Sequence, residues 1–305
     1  VRPCVIFNPA AKGEKAERFR RQLDAIGATC ALKKTAAPGD ARRLAAEAVR
    51  EGFELIIAAG GDGTINEVLN GIGDAPDGFT RVCLGVLPLG TVNVFARELG
   101  IPLAVEKAWA VIRRGRETRI DLPCVEFSAS GVQQRRHFAQ LAGAGLDARA
   151  IERVSWSHKK RIGPLAYVVA GLKVLAGKLP QIGVSTGANR AEGELILIGN
   201  GRRYGGNYKI FPQADLRDGL LDVCVFPRAG WLTLARCGLS LLASGKVPAG
   251  VVQRLQAETF ILSSESPAPF ELDGELIGHL PATFSIECGR LRVLAPPQRC
   301  RVKRQ

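Results

Sequence analysis

Apolar residues along the first 120 positions alternate between two textures. Continuous runs at 4–7, 55–59 and 82–87 stop at Asn-Pro, glycine or proline, as strands buried on both faces do. Between these runs, apolar residues recur every three or four positions. Ala16, Phe19, Leu23 and Ile26 predict one amphipathic helix over 14–26. Residues 29–34 predict a second strand. The Ala-rich stretch 41–50 predicts a helix with Asp40 as its N-cap. Ile65, Val68, Leu69 and Ile72 mark one face of a further helix, and 94–99 and 103–113 read as two more. Strands alternating with helices in this way predict a parallel α/β sheet.

The texture changes near residue 119. Short apolar runs at 125–128, 137–142, 194–199, 221–226, 259–263 and 282–288 are separated by Gly, Pro and Ser, which predicts an antiparallel β-sandwich. Two apolar helical segments, 162–179 and 231–242, interrupt it. The first follows the basic cluster His158-Lys159-Lys160-Arg161. A basic entry into an apolar helix, with Trp156 or Trp231 nearby, fits either a membrane interface or a core helix with a charged collar. The expected division is an α/β domain over 1–120, a sandwich over 121–289, and a basic tail over 290–305 that can return to the first domain.

Composition narrows the function classes. At 305 residues and 46% hydrophobic, the chain can bury two cores. No apolar run reaches the ~18 residues of a membrane span. The opening residues have no secretory signal pattern. Eight scattered cysteines, without Cys-x-x-Cys and with three histidines, give no zinc spacing and predict reduced thiols inside a cell. The net charge of +13 divides as +4 over 1–120 and +9 beyond, favouring an anionic partner. Three Tyr and three Trp offer little for base stacking, which argues against nucleic acid.

The candidate chemistry centres on Gly60-Gly61-Asp62-Gly63-Thr64, between a strand and a helix start. Glycines let backbone amides ring a phosphate, and the helix dipole adds positive potential. Asp62 would repel a phosphate unless a divalent cation bridges the two or it accepts a proton. The Gly-x-x-x-x-Gly-Lys-Ser/Thr pattern is absent, which excludes a P-loop nucleoside triphosphatase. Gly143-Ala-Gly145-Leu-Asp147-Ala148 mimics a dinucleotide fingerprint, but it lies outside any βαβ context. A bulge or close backbone packing suits it better. Asp273-Gly274-Glu275 reads as a hairpin turn or as a rigid mount for a general base. Asp215 and Asp218, three apart in a turn, fit a divalent cation or a solvated loop.

Taken together, Gly60-Gly-Asp-Gly-Thr-Ile-Asn-Glu-Val-Leu-Asn-Gly71, Asn8-Pro9, Pro88-Leu-Gly-Thr-Val-Asn-Val-Phe-Ala-Arg97, Gly143-Ala-Gly-Leu-Asp147, 212–222 and Asp273-Gly-Glu275 resemble the diacylglycerol kinase catalytic-domain family. The likeness is to its bacterial soluble lipid kinase branch, which is related to sphingosine kinases, and it spans nearly the whole chain. It implies a Rossmann-like α/β nucleotide domain and a β-sandwich with ATP in the cleft between them. By matched position, Asn8, Thr35, Gly60, Gly61, Asp62, Gly63, Thr64, Ile65, Asn66 and Thr91 hold ATP. Glu275 accepts the proton of a lipid hydroxyl, Asp62 organises Mg²⁺, and Asp121 joins that network. Asp215 and Leu220, by their carbonyls, and Asp218 match a structural Mg²⁺ site. Ala11-Lys12 departs from the Ser-Gly type turn of relatives. A lipid substrate must be drawn from a bilayer, so the expectation is a cytoplasmic enzyme that sits peripherally on anionic membrane, with the +9 half and its two apolar helices as the candidate docking surface. NAD kinase shares the Gly-Gly-Asp-Gly turn and is the alternative, as is an inactive lipid-binding relative.

Overall fold

The computed structural model describes residues 3–9, 11, 13–153, 177, 179–187, 189–248 and 250–297. The expected segment 162–179 and the cluster 158–161 lie, apart from 177 and 179, outside the described residues. The chain forms two compact units, one of residues 1–120 with 290–305 and one of 121–289.

The first unit is a parallel sheet. β1 (Cys4–Phe7), β2 (Ala31–Lys34), β3 (Leu55–Gly60) and β4 (Cys83–Pro88) lie in the order β2-β1-β3-β4. β1, β4 and all of β3 beyond Leu55 are buried, because helices cover both faces. α3 (Asp40–Arg50) and α4 (Asp62–Gly73) pack together on one face; α7 (Val105–Arg114) packs on β4 and on α1 (Glu14–Arg21). Strand order therefore reverses between β1 and β3, the place where open α/β sheets bind ligands beyond their carboxyl ends. Arg292 and Val293, late in β16 (Ala282–Ala295), pair in parallel with Cys83 and Leu84 of β4.

Local differences from the sequence pattern have local causes. The helix expected over 14–26 is broken into α1 and α2 (Leu23–Gly27) at Gln22, whose amide turns back to the Phe19 carbonyl at 2.9 Å. Asp40 does not cap α3. It is the first helical residue, and its carboxylate accepts the amides of Ala36 and Ala37 at 2.7 and 3.1 Å. Glu67 of α4 performs the capping instead, accepting the amides of Gly39 and Ala41 at 2.9 and 3.0 Å. Two short helices, α5 (Gly78–Arg81) and α6 (Val94–Glu98), flank β4.

The second unit is an antiparallel sandwich. One sheet runs β12 (Gln253–Ala257), β11 (Leu221–Phe226), β10 (Leu195–Gly199), β7 (Leu141–Gly145), β14 (Pro269–Leu272), β15 (Glu275–His279). Facing it are β13 (Thr259–Ser263), β8 (Ile182–Thr186), β9 (Asn189–Gly193) and the early part of β16, with β5 (Arg116–Ala129) beside β16 and β6 (Val132–His137) beside β5. Phe127, Phe138, Phe270 and Phe284 fill the layer between the sheets, with ring centroids 5.1–6.3 Å apart and edges toward faces. β10 alternates its loyalties: Ile196 and Ile198 face that layer, while Leu195 and Leu197 face a second core with Phe211, Phe226 and Cys237. Burial on both faces explains its unbroken apolar sequence.

The strand expected over 137–142 is two strands. β6 ends at His137 and β7 begins at Leu141, because the amides of 139–141 leave the ladder for the Asp273 carboxylate. α8 (Leu146–Arg153) follows β7 directly. α9 (Trp231–Ser244) carries the segment expected at 231–242. No helix among the described residues is long and apolar enough to cross a membrane.

Candidate active site

Four chain reversals share the carboxyl edge of the parallel sheet: Asn8 after β1, Thr35 after β2, Gly60–Thr64 after β3 and Thr91 after β4. The latter two turns are knitted together. Leu89 and Gly90 both donate their amides to the Gly60 carbonyl, at 2.9 and 3.3 Å. Asn93, fully buried and in the left-handed region, clasps Gly90 from both ends. Its Oδ1 accepts the Gly90 amide and its Nδ2 donates to the Gly90 carbonyl. A Cβ on Gly90 would lie 2.5 Å from the Gly61 Cα, so this backbone approach requires glycine.

α4 begins at Asp62, with Gly61 in extended conformation before it and no side-chain cap. Its first amides have no intrahelical acceptors, and they carry the positive end of the dipole. Asp62 Oδ1 accepts the Phe95 amide at 3.1 Å, tying the two turns further and leaving Oδ2 for a cation. Ile65 is wholly buried, and its amide donates to the Gly61 carbonyl at 3.1 Å. Asn66 is buried and accepts from Asn70 Nδ2 at 3.1 Å. The candidate anion cradle is the backbone of Gly60–Asn66 with Thr91, and within it the side chains of Ile65 and Asn66 are buried. Lys15 of α1, which sequence reasoning missed, donates Nζ to the Gly90 carbonyl at 3.5 Å. It brings a cation to the cradle from 75 residues away, with no local signal to mark it.

In the second unit, Glu275 opens β15 and is exposed. Asp273, two residues earlier, sits at φ 48°. Its carboxylate accepts the amides of Ala139, Gln140 and Leu141 at 2.7, 3.0 and 3.0 Å. The turn carrying Glu275 is therefore pinned to the start of β7.

Asp121, 3% exposed, uses both carboxylate oxygens on backbone. Oδ2 accepts the Gly219 amide at 2.8 Å and Oδ1 the Gly289 amide at 2.6 Å, while its own amide donates to the Leu216 carbonyl. It staples the turn 215–220 into the unit. Within that turn Asp218 Oδ1 accepts the Leu220 amide at 3.0 Å. Burial, and then the negative charges of Asp215 and Asp121, push the Asp218 carboxyl above its ordinary value. A carboxylate made costly by burial and by two like charges is the chemistry a divalent cation could satisfy. No cluster of three or more His, Cys, Asp or Glu arranged for a metal occurs among the described residues. Cys83 and Cys224 are buried, which pushes both thiols to about 12, so neither is a nucleophile at neutral pH.

An uncapped helix start behind a glycine turn, with a carboxylate at its mouth, is the layout of a phosphate-binding α/β unit, here in series with a sandwich that mounts its own carboxylates. Residues 2–125 match the diacylglycerol kinase catalytic domain, and residues 140–295 match the YegS C-terminal NAD kinase beta sandwich-like domain. A diacylglycerol kinase of Staphylococcus aureus is 32% identical over 97% of this chain and 92% of its own length. A protein of Stenotrophomonas maltophilia named as a YegS-like lipid kinase is 35% identical over 88% of each chain. The crystal structure of a diacylglycerol kinase from Bacillus anthracis shares the fold, with a TM-score of 0.71 over 97% of both chains at 20% identity. The chain belongs to this family of bacterial diacylglycerol kinases and YegS-like lipid kinases. Kinase membership implies ATP as phosphate donor, with a divalent metal as its usual companion.

Proposed function

We propose that this protein transfers the γ-phosphate of ATP to the hydroxyl of a lipid alcohol: diacylglycerol-like, phosphatidylglycerol or sphingoid. The observation that carries this reading is the uncapped start of α4, with Asp62 beside the Gly61–Gly90 contact. The backbone of Gly60–Thr64 and Thr91 binds the phosphates, and Lys15 adds positive charge there. Asn8 and Thr35, on the same sheet edge, contact the rest of the nucleotide. Bound Mg²⁺ would neutralise the phosphate oxygens, and Asp62 Oδ2 is the group available to hold it. Glu275 takes the proton of the attacking hydroxyl. The first unit thus serves the donor and the second supplies the base. Asp215, Asp218 and Leu220 form a separate cation turn held by Asp121.

The test is Mg-ATP turnover against a panel of lipid alcohols and NAD. Glu275→Gln should lower kcat about 10²-fold or more with little change in the KM for ATP, the usual scale of general-base loss. Asp62→Ala should abolish turnover with every acceptor. Transfer to NAD alone, or full activity of Glu275→Gln, contradicts the scheme.

The lipid must be reached at a surface. α9 exposes Trp231, Leu232 and Leu239 at 54%, 74% and 69%, with Arg236 exposed beside them, and the cluster Lys159-Lys160-Arg161 adds charge to the same half of the sequence. We infer peripheral docking on anionic membrane. Replacing Lys159, Lys160 and Arg161 by Glu should weaken co-sedimentation with anionic vesicles and leave binding to neutral vesicles unaltered. Unchanged anionic binding would refute docking through this cluster.

A further inference from the structure

Two carboxyl groups that this scheme does not use meet inside the second unit. Glu271 lies on β14 and is 1% exposed; its Oε2 accepts the Gly274 amide at 2.6 Å. Asp147 is the second residue of α8, and its Oδ1 accepts the Tyr204 hydroxyl at 3.0 Å. Part of Asp147 reaches solvent, but its carboxyl is enclosed by neighbouring atoms. The remaining oxygen of each acid turns to the same bare Cα. Gly143 stands directly opposite Glu271 in the β7–β14 ladder. A Cβ there would lie 2.6 Å from Asp147 Oδ2 and 2.8 Å from Glu271 Oε1. The glycine makes room for two acids to converge.

The charged groups that face Glu271 are Asp147 from α8 and Asp273 from the adjoining turn, both negative. Glu271 Oε1 meets no N–H or O–H donor among the described residues. Two ionised carboxylates in that setting would repel, and the neutral Gly274 amide and Tyr204 hydroxyl offset that only in part, so sharing one proton is favoured. Burial pushes the Asp147 carboxyl to about 6, with the Tyr204 hydroxyl opposing the rise. Burial and the Asp147 charge push Glu271 well above the ordinary carboxyl range. The proton therefore belongs to Glu271, and Asp147 is the acceptor of two hydrogen bonds, from Tyr204 and from Glu271.

We propose that Glu271 is held as the neutral acid, donating to Asp147, and that the chain Tyr204–Asp147–Glu271–Gly274 positions the turn that presents Glu275. The proposal rests on the reading of Glu275 as proton acceptor. Asp273 fixes one side of the turn through three amides; Glu271 fixes the other through the amide immediately before Glu275. Glu271 and Asp147 are positioning residues, since neither is placed against the reacting groups.

The experiment compares Glu271→Gln with Glu271→Leu in kinetics and in infrared difference spectra at pH 7. A glutamine can donate to Asp147 and still accept from Gly274, so Glu271→Gln should keep kcat within about threefold of wild type. Glu271→Leu should lose kcat about tenfold or more while the KM for ATP, set by the first unit, stays constant. Wild type should show the carbonyl band of a protonated carboxyl, shifted in D₂O, that is missing from Glu271→Gln and present in Glu275→Gln. Absence of that band from wild type, or a Glu271→Gln variant as impaired as Glu271→Leu, overturns the proposal. Should Glu271→Leu fail to fold, the band and the Glu271→Gln kinetics still decide it. Full activity of Glu275→Gln would remove the base assignment alone, because the infrared band reports on Glu271 independently.

Discussion

At the residue scale, the Asp147–Glu271 pair ties stability to pH. A free carboxyl titrates near ~4, whereas Asp147 in the folded protein titrates at about 6 and Glu271 above its ordinary range. Between those values the folded chain binds more protons than the unfolded chain. Stability from these groups is therefore fully present below the unfolded value, and it falls as pH rises through the folded ones. Urea midpoints measured from about pH 4 to pH 8 should decline more steeply for wild type than for Glu271→Gln, in which Asp147 gains a permanent donor. Parallel curves would contradict the coupling. The same pair shows why the acid site escaped sequence reasoning. Glu271 sits one residue from Leu272 in a short strand, and Asp147 lies in a glycine motif that mimics a nucleotide fingerprint. Nothing in either local pattern points to the other, or to Tyr204.

At the scale of elements, the glycine motif works through contacts between neighbouring segments. Gly61 and Gly90 let the turns after β3 and β4 touch, and Gly90→Ala would drive a Cβ to within 2.5 Å of Gly61 Cα and 2.9 Å of Asn93 Oδ1. That overpacking should cost about 1–3 kcal/mol and raise the KM for ATP more than it lowers kcat, as denaturant titration and initial rates would show. Glu67, within the same motif, leaves the phosphate side and caps α3 through the amides of Gly39 and Ala41. Glu67→Ala should destabilise by about 1 kcal/mol, the usual worth of a cap, with kcat retained. A large kcat loss without a shift in unfolding midpoint would instead place Glu67 in the chemistry. Element type was legible in β1, β3, β4, β10 and β11, which are apolar runs because both faces are covered. β9 and β12 were not legible. They close the edges of their sheets, and sequences such as Asn189-Arg-Ala-Glu-Gly193 and Gln253-Arg-Leu-Gln-Ala257 are mostly polar. Pairing with β8 and β11, rather than hydrophobic period, makes them strands.

At the scale of the whole molecule, the chain crosses between its units twice, once along β5 and once along β16. Late β16 completes the parallel sheet beside β4, and Arg292 there forms a two-pronged pair with Glu117 at 2.7 and 2.8 Å. The first unit therefore includes residues from both ends of the sequence. Truncating the chain after Gly289 should expose the β4 edge and lower the thermal midpoint of the first unit, measurable by calorimetry as a shift in one transition. An unchanged profile would mean that β16 contributes little to that sheet.

Sequence by itself determined the glycine turn between a buried strand and an amphipathic helix, because backbone geometry over a few residues depends on those residues. It likewise determined the parallel sheet, through continuous apolar runs, and the sandwich, through short ones. Only tertiary structure decided which side chains work together across distance. Lys15 reaches Gly90, Asp273 gathers three amides from 139–141, and Glu271 meets Asp147 over Gly143. Those encounters are set by strand register and helix packing, and register is a property of pairs of segments that no single segment contains.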